Sequence, residues 1–330
     1  MEKVVAVVVT YNRRHLLAEC LQALRQQSRR PDVILVVNNG STDGTAKWLA
    51  TQTDVVTINQ FNCGSAGGFN TGIQWAFQAG CSWVWCMDDD GYPQENALEQ
   101  LLLQAPVETA LLNCAVINIE DKKSFVWKTA EYRTIDEAKE ILVKDFGHPF
   151  NGTLIPRAII EKAGLPKTSL FVWGDESEYF NRITRKYAFP VYTVTTSLHY
   201  HPPSAFNYRR DWDFKEQWKV YYYVRNRWQI HQSKHSKKAY AFINYLCFFI
   251  ALSGAVLFFQ KSDRMKKLSF ICWPLYHAVI NNYAVTPSVV VQRLQRKTSY
   301  NPILKMKNYY RIARQFMLPP VSPQQITNAA

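Results

Sequence analysis

Asp88-Asp89-Asp90 follow directly on the apolar run Trp83–Met87. Three adjacent carboxylates repel one another and raise each other's pKa, and a divalent cation relieves that repulsion. Mg²⁺ and Mn²⁺ take oxygen ligands and bridge carboxylates to substrate phosphates. In an extended segment successive side chains alternate, so Asp88 and Asp90 face one way and Asp89 the other, which is what a D-x-D metal pair needs. The competing reading is a solvated acidic turn built with Gly91 and Pro93. Placement after a buried strand favours a site, because ligands of α/β sheets gather at the carboxyl ends of strands.

A second carboxylate pair, Asp175-Glu176, follows the aromatic run Leu170–Trp173, which reads as a strand. Either acid can serve as a general base, or both can simply favour a helix N-terminus. His199 and His201 come after the strand Val191–Val194, and either can complete a cation site or contact a diphosphate. The stretch Asn62–Asn70 contains Gly67 and Gly68. Glycines ahead of a helix let backbone N–H groups approach a phosphate, although an ordinary glycine-rich turn has the same composition. The G-x-G-x-x-G dinucleotide spacing is absent.

These residues need a scaffold, and the chain supplies one. Val4–Val9, Val33–Val37, Val55–Ile58 and Trp83–Met87 read as buried strands. Between them lie a helix with Leu16, Leu17, Cys20, Leu21 and Leu24 at helical spacing, and a helix over Thr71–Gly80 after a glycine-rich loop at Gly64–Asn70. Strands alternating with helices predict an α/β fold with a mostly parallel sheet. Thr10-Tyr11, Asn38-Asn39 and Asp88–Asp90 then share one edge of that sheet.

The formal net charge is +13 over 330 residues, and it is unevenly spread. From Phe206 onward there are 20 basic and 4 acidic residues, against 19 and 22 in the first 205. A near-neutral body, residues 1–205, thus carries a basic, aromatic, helical region, 206–330, with the boundary near Ala205. Ala239–Phe259 is uncharged and flanked by lysines and arginines. It is long enough to span a bilayer. Basic flanks on both sides and interspersed aromatics fit a helix lying at an anionic membrane interface better; a buried core helix or an oligomer contact is the further alternative. No nucleic-acid module is recognisable, so nucleic acid is not expected as a partner. Seven unpatterned cysteines argue against a disulfide framework or a structural zinc site. Met1-Glu2-Lys3 leads at once into the first strand rather than a secretory signal, which places the expected location in the cytoplasm, peripheral on the cytoplasmic face of the inner membrane.

Taken together, Val9-Thr10-Tyr11-Asn12-Arg13, Asn39–Thr45, Asn62 through Gly72, Asp88-Asp89-Asp90 with Pro93, Phe171 through Tyr179, and His199 resemble the inverting family-2 glycosyltransferases of the GT-A fold. The resemblance covers roughly residues 3–205 and is nearest to bacterial galactofuranosyl- and rhamnosyltransferases of surface polysaccharide assembly. It implies a UDP-sugar donor, a glycan or lipid-linked glycan acceptor, and Mn²⁺ or Mg²⁺. It further implies that Thr10, Tyr11 and Asn39 hold the uridine end, that Gly67, Gly68, Asp88 and Asp89 lie along the donor, and that Asp88, Asp90 and His199 bind the metal. Asp175 or Glu176 is the implied base. Many relatives carry Asp where this chain has Glu176, and Asp is frequent where it has Asn38. Galactofuranose is preferred to rhamnose on the three aspartates and the Trp173–Tyr179 segment.

Overall fold

The computed structural model describes residues 2–105, 109–127, 132–147, 150–203, 208–215 and 217–295. Four parallel strands form the first half of the sheet: β1 (Val4–Thr10), β2 (Val33–Asn38), β3 (Val55–Asn59) and β4 (Trp83–Asp88), in spatial order β3-β2-β1-β4. The sheet continues through β8 (Asn151–Pro156), β6 (Leu111–Asn118), β9 (Val191–His201) and β5 (Tyr92–Pro93), and β7 (Leu142–Lys144) pairs with β9. β8 runs antiparallel to both β4 and β6, while β9 runs parallel to β6. The helices are α1 (Arg14–Arg25), α2 (Thr45–Leu49), α3 (Gly64–Gln78), α4 (Ala97–Gln104), α5 (Arg157–Ala163) and α6 (Asp175–Asn181), followed by the C-terminal group α7 (Lys219–Lys234), α8 (Lys238–Phe259), α9 (Arg264–Val279) and α10 (Pro287–Gln295). This is the expected α/β architecture, a mixed, mostly parallel sheet between helices with a helical C-terminal extension. β6 was not foreseen from the sequence. The expected boundary at Ala205 and everything beyond Gln295 lie outside the described residues.

All seven residues of β1 are buried, because alternate side chains enter two different cores. Val4, Ala6 and Val8 pack with Leu17, Leu21 and Leu24 of α1 and with Leu98 and Leu101 of α4. Val5, Val7 and Val9 pack with Phe69, Ile73 and Ala76 of α3 and with Tyr179 of α6. A β-branched run without polar residues fits a strand that water reaches on neither face. The pairings Thr10↔Asn38 and Val9↔Asp88 bring the carboxyl ends of β1, β2 and β4 level, as the sequence predicted.

Two expected elements are corrected. The glycine-rich stretch is not a loop ahead of a helix: α3 begins at Gly64 and contains Gly67, Gly68 and Gly72. A Cβ on Gly68 would lie 2.4 Å from Val9 Cγ1, one on Gly72 2.3 Å from Val7 Cγ1, and one on Gly67 2.3 Å from Cys63 Cβ. The close crossing of α3 over β1 outweighs the poor helix propensity of glycine. Leu170–Trp173 is not a strand either. A 3₁₀ turn, Thr168–Leu170, leads into Phe171 and Trp173 with φ of 66° and 58°, then Gly174 at 120°. The run is apolar because Phe171 and Val172 pack on a separate core formed by Trp212, which precedes α7, and by Tyr222, Phe270 and other residues of the C-terminal helices.

Candidate active site

The acidic run stands where β4 ends. Asp89 is buried, accepting hydrogen bonds from Thr10 Oγ1 (2.6 Å) and Arg13 Nη1 (3.2 Å). The same guanidinium nitrogen reaches Asp90 Oδ2 at 2.6 Å, and His201 Nε2 lies 3.3 Å from Asp90 Oδ1. The expected split, with Asp89 turned away from its neighbours, is therefore only partial, because one arginine gathers both Asp89 and Asp90. Burial, reinforced by Asp90 and Asp89, pushes Asp88 up to about 8, and burial likewise lifts Asp89 to about 6. Burial would also raise Asp90, but His201 and Arg13 outweigh it and hold that carboxyl down at about 2. Burial, more than the neighbouring charges, makes Asp88 the carboxyl of the three that is most readily protonated.

The imidazole that reaches Asp90 is that of His201 rather than that of His199. Both histidines belong to β9 rather than following a strand. His199 is fully buried, and its Nε2 is packed so tightly on Gly91 that a Cβ there would lie 2.4 Å away. Neither of its ring nitrogens has a hydrogen-bond partner, and burial takes it down to about 3, so it stays neutral. Period-2 alternation explains the division, since residues 199 and 201 share a face but only the strand's last residue reaches the sheet edge.

Asp175 and Glu176 open α6, directly after the left-handed turn. Asp175 is buried; Oδ2 accepts from Ser65 Oγ (3.1 Å) in the first turn of α3, and buried Oδ1 has no hydrogen-bond partner. Burial, then the charge of Glu176, and more weakly that of Asp88, raise Asp175 well above the usual carboxylate range. Glu176 is half-buried and accepts from the Gly174 N–H at 3.1 Å. The two acidic sets, 87 residues apart in sequence, therefore feel one another's charge.

The expected donor contacts divide. Tyr11 is 46% exposed at the end of β1, a free aromatic face. Thr10 is buried with its hydroxyl committed to Asp89. Asn39 is buried and bonded at both ends of its amide: Nδ2 donates to Gly64 O (2.9 Å), and Oδ1 accepts from Gln60 Nε2 and Cys63 N. It ties β2 to the turn before α3, so its side chain is not free to read a base. The N-terminus of α3 is similarly engaged, since Ala66 N–H donates to Phe171 O. The crossing of α3 over β1 leaves no room for a side chain at Gly68.

The profile of Glycosyl transferase family 2 matches residues 5–163. The galactofuranosyltransferase GlfT1 of Mycolicibacterium smegmatis is 34% identical over 217 residues, which cover 61% of this chain and 71% of that protein. The chain belongs to glycosyltransferase family 2. GlfT1 of Mycobacterium tuberculosis is 33% identical over 215 residues, covering 61% of this chain and 70% of that protein. In fold, the chain is similar to S. aureus TarS 1-349 in complex with UDP, with a TM-score of 0.52 and 13% identity over 91% of this chain and 93% of that one. As a member of the family it is an inverting glycosyltransferase that acts on a nucleotide-sugar donor in polysaccharide synthesis.

Family-2 membership gives the acidic residues a setting, but three side chains near them carried no role in the sequence reading. Arg13 binds residues 76 and 77 positions away, so nothing local announces it. Ser65 reaches Asp175 across 110 residues. Lys219, the first residue of α7, has its Nζ 5.6 Å from the centre of the Trp173 ring and 5.9 Å from that of Trp218. Burial and the charge of Arg13 lower its pKa, while Asp88 and Asp90 act in the other direction.

Proposed function

We propose that this family-2 enzyme is a galactofuranosyltransferase, moving galactofuranose from UDP-galactofuranose to a lipid-linked or growing surface glycan by a single displacement. The sugar follows the galactofuranosyltransferases to which the chain is 34% and 33% identical over 217 and 215 aligned residues. The observation that carries the mechanism is that Asp88–Asp90 stand where β4 ends while Asp175, beside Glu176, is bonded to Ser65 in the first turn of α3, which follows the end of parallel β3, so both acidic sets lie toward the carboxyl ends of the strands.

Among the described residues no three acidic, histidine or cysteine side chains already surround one point as a metal cage. The donor set still fits a divalent cation in charge and chemistry. Asp90 Oδ1 is buried without a hydrogen bond, its neighbour is an imidazole nitrogen, and burial, reinforced by the charges of Asp90 and Asp89, pushes Asp88 up to about 8. Asp88, Asp90 and His201 would hold Mn²⁺ or Mg²⁺, which supplies neutralisation of the leaving diphosphate. Tyr11 stacks on the uracil, and Arg13 keeps Asp89 and Asp90 in place. Glu176, the more accessible acid, takes the acceptor hydroxyl's proton; Asp175, buried and bonded to Ser65, holds the turn.

The same reading places the enzyme on the cytoplasmic face of a membrane. α8 is the one helix among the described residues long and apolar enough to cross a bilayer. Ala241, Tyr245, Leu252 and Val256 form a stripe packed on α7 and α9, while Phe242, Ile243, Leu246, Ile250 and Phe258 are exposed. A helix fastened along its length to the folded body lies on a bilayer more readily than through it, and Lys237, Lys238, Lys261 and Lys266 beside it match anionic headgroups. Co-sedimentation with phosphatidylglycerol vesicles at low salt tests this; full solubility in their presence overturns it.

The decisive assay compares UDP-galactofuranose with dTDP-rhamnose and scores nucleotide release. UDP release from the first supports the reading, and dTDP release from the second replaces the sugar.

A further inference from the structure

The turn that carries the base is strained and does not hold itself. Phe171 and Trp173 occupy left-handed backbone conformations that cost side-chain-bearing residues of order 1–3 kcal/mol each, and Gly174 takes one that only glycine adopts readily. Such geometry persists only where neighbours over-determine it. Here the neighbours belong to α7, more than 50 residues later. Asn226, fully buried, donates from Nδ2 to the carbonyls of Leu170 (2.8 Å), Val172 (2.9 Å) and Trp173 (3.0 Å). Two N–H bonds serve three acceptors, so one hydrogen is shared, and the three carbonyls must converge on a single nitrogen.

Arg225 completes the arrangement. It is buried, donates from Nε to Asn226 Oδ1 (3.1 Å), which fixes the amide's orientation, and from Nη2 to Ser169 O (3.0 Å) and Leu170 O (3.1 Å). Its guanidinium carbon lies 4.7 Å from the centre of the Tyr222 ring and 4.8 Å from that of Tyr283. A buried arginine spent on carbonyl oxygens and ring faces is an expensive way to hold a loop, which argues that the loop's exact shape matters. Gly174 closes the contact from the other side, because a Cβ there would lie 2.9 Å from Ile230 Cδ1 and 3.2 Å from Asn226 Cβ.

We propose that Arg225 and Asn226 are positioning residues for the reaction: from α7 they set the 169–174 turn, and through it aim Asp175-Glu176 at the acceptor. The C-terminal helices are on this account part of the catalytic unit and not an appendage to it. The inference rests on the base lying at 175–176, as proposed above.

The test uses the full-length enzyme with Asn226→Leu, which removes all three hydrogen bonds at similar volume, beside Asn226→Gln and Glu176→Gln. The expected result for Asn226→Leu is a fall in kcat of about 100-fold, the scale of a roughly 1 Å misplacement of a reacting group. UDP affinity by calorimetry and KM for the donor should stay close to wild type, and Asn226→Gln should recover part of kcat. Unchanged kcat, or loss of UDP affinity in step with kcat, overturns the proposal. If Asn226→Leu does not fold, Gly174→Ala strains the same turn from its other face and must give the same kcat-only loss. An active Glu176→Gln would instead count against Glu176 as the base, while an inactive Glu176→Gln beside a fully active Asn226→Leu would leave the base standing and remove the clamp.

Discussion

Asp90 and His201 face one another at 3.3 Å, the first from the turn after β4 and the second from the last residue of β9, 111 positions apart. The strands that deliver them are not neighbours; β8 and β6 stand between. Chelation with EDTA should stop nucleotide release, and Mn²⁺ should restore it. Asp90→Ala should cut turnover by about 100-fold or more while the fold survives, because a metal's neutralisation of developing charge contributes several kcal/mol. His201→Ala should raise the Mn²⁺ needed for half-maximal rate by about tenfold or more, whereas His199→Ala should not. Metal titrations of UDP release distinguish these, and equal shifts for both histidines would return His199 to the metal site.

Glu176→Gln should lower kcat by about 10²- to 10⁴-fold, the range of a lost general base, with UDP binding preserved. Asp175→Asn should cost less, because a buried carboxyl raised above its usual range resembles the neutral amide already. Steady-state kinetics and calorimetry on both variants decide, and the opposite order would make Asp175 the base.

Gly68→Ala should destabilise the fold by about 1–3 kcal/mol, the usual cost of overpacking, because its methyl group would meet Val9 Cγ1 at 2.4 Å. Urea unfolding should show a lower midpoint with an unchanged slope. Wild-type stability with weakened UDP binding would instead favour a phosphate-side role for this glycine.

Lys267 is fully buried and donates from Nζ to Asp211 Oδ1 at 2.7 Å, with Gln260 Oε1 at 3.0 Å. That hydrogen bond holds Asp211 down at about 2. A carboxyl whose pKa is lower folded than unfolded stabilises the protein above its unfolded value, about 3.9, and loses that contribution as pH falls toward 2. Asp211→Asn should therefore be less stable than wild type at neutral pH, with the gap closing between about pH 4 and pH 2. Thermal midpoints across that range check it; a constant gap would mean the pair does not titrate with folding.

Much was legible in the sequence because it depends on local pattern. Short apolar runs rich in β-branched residues fit strands buried on both faces, so Val4–Val9 and Val33–Val37 announced the parallel half of the sheet and, through their ends, the edge where Tyr11 and Asp88–Asp90 stand. The apolar length of α8 was likewise plain. What tertiary structure alone decided is who meets whom. Gly67 and Gly68 have the composition of a phosphate loop, but they lie inside a helix, and its close crossing of β1 uses Gly68 and Gly72 for packing. The apolar run 170–173 has the composition of a strand, but Phe171 and Val172 pack on the core of the C-terminal helices and the run forms a strained turn. Asn39 lost its presumed freedom to the turn before α3. Arg13, His201, Ser65, Lys219 and the Arg225–Asn226 pair entered the site through contacts spanning tens to more than a hundred residues. Periodicity reports the face on which a side chain lies; only the folded chain determines which partner waits there, because long-range contacts are fixed by the packing of whole elements.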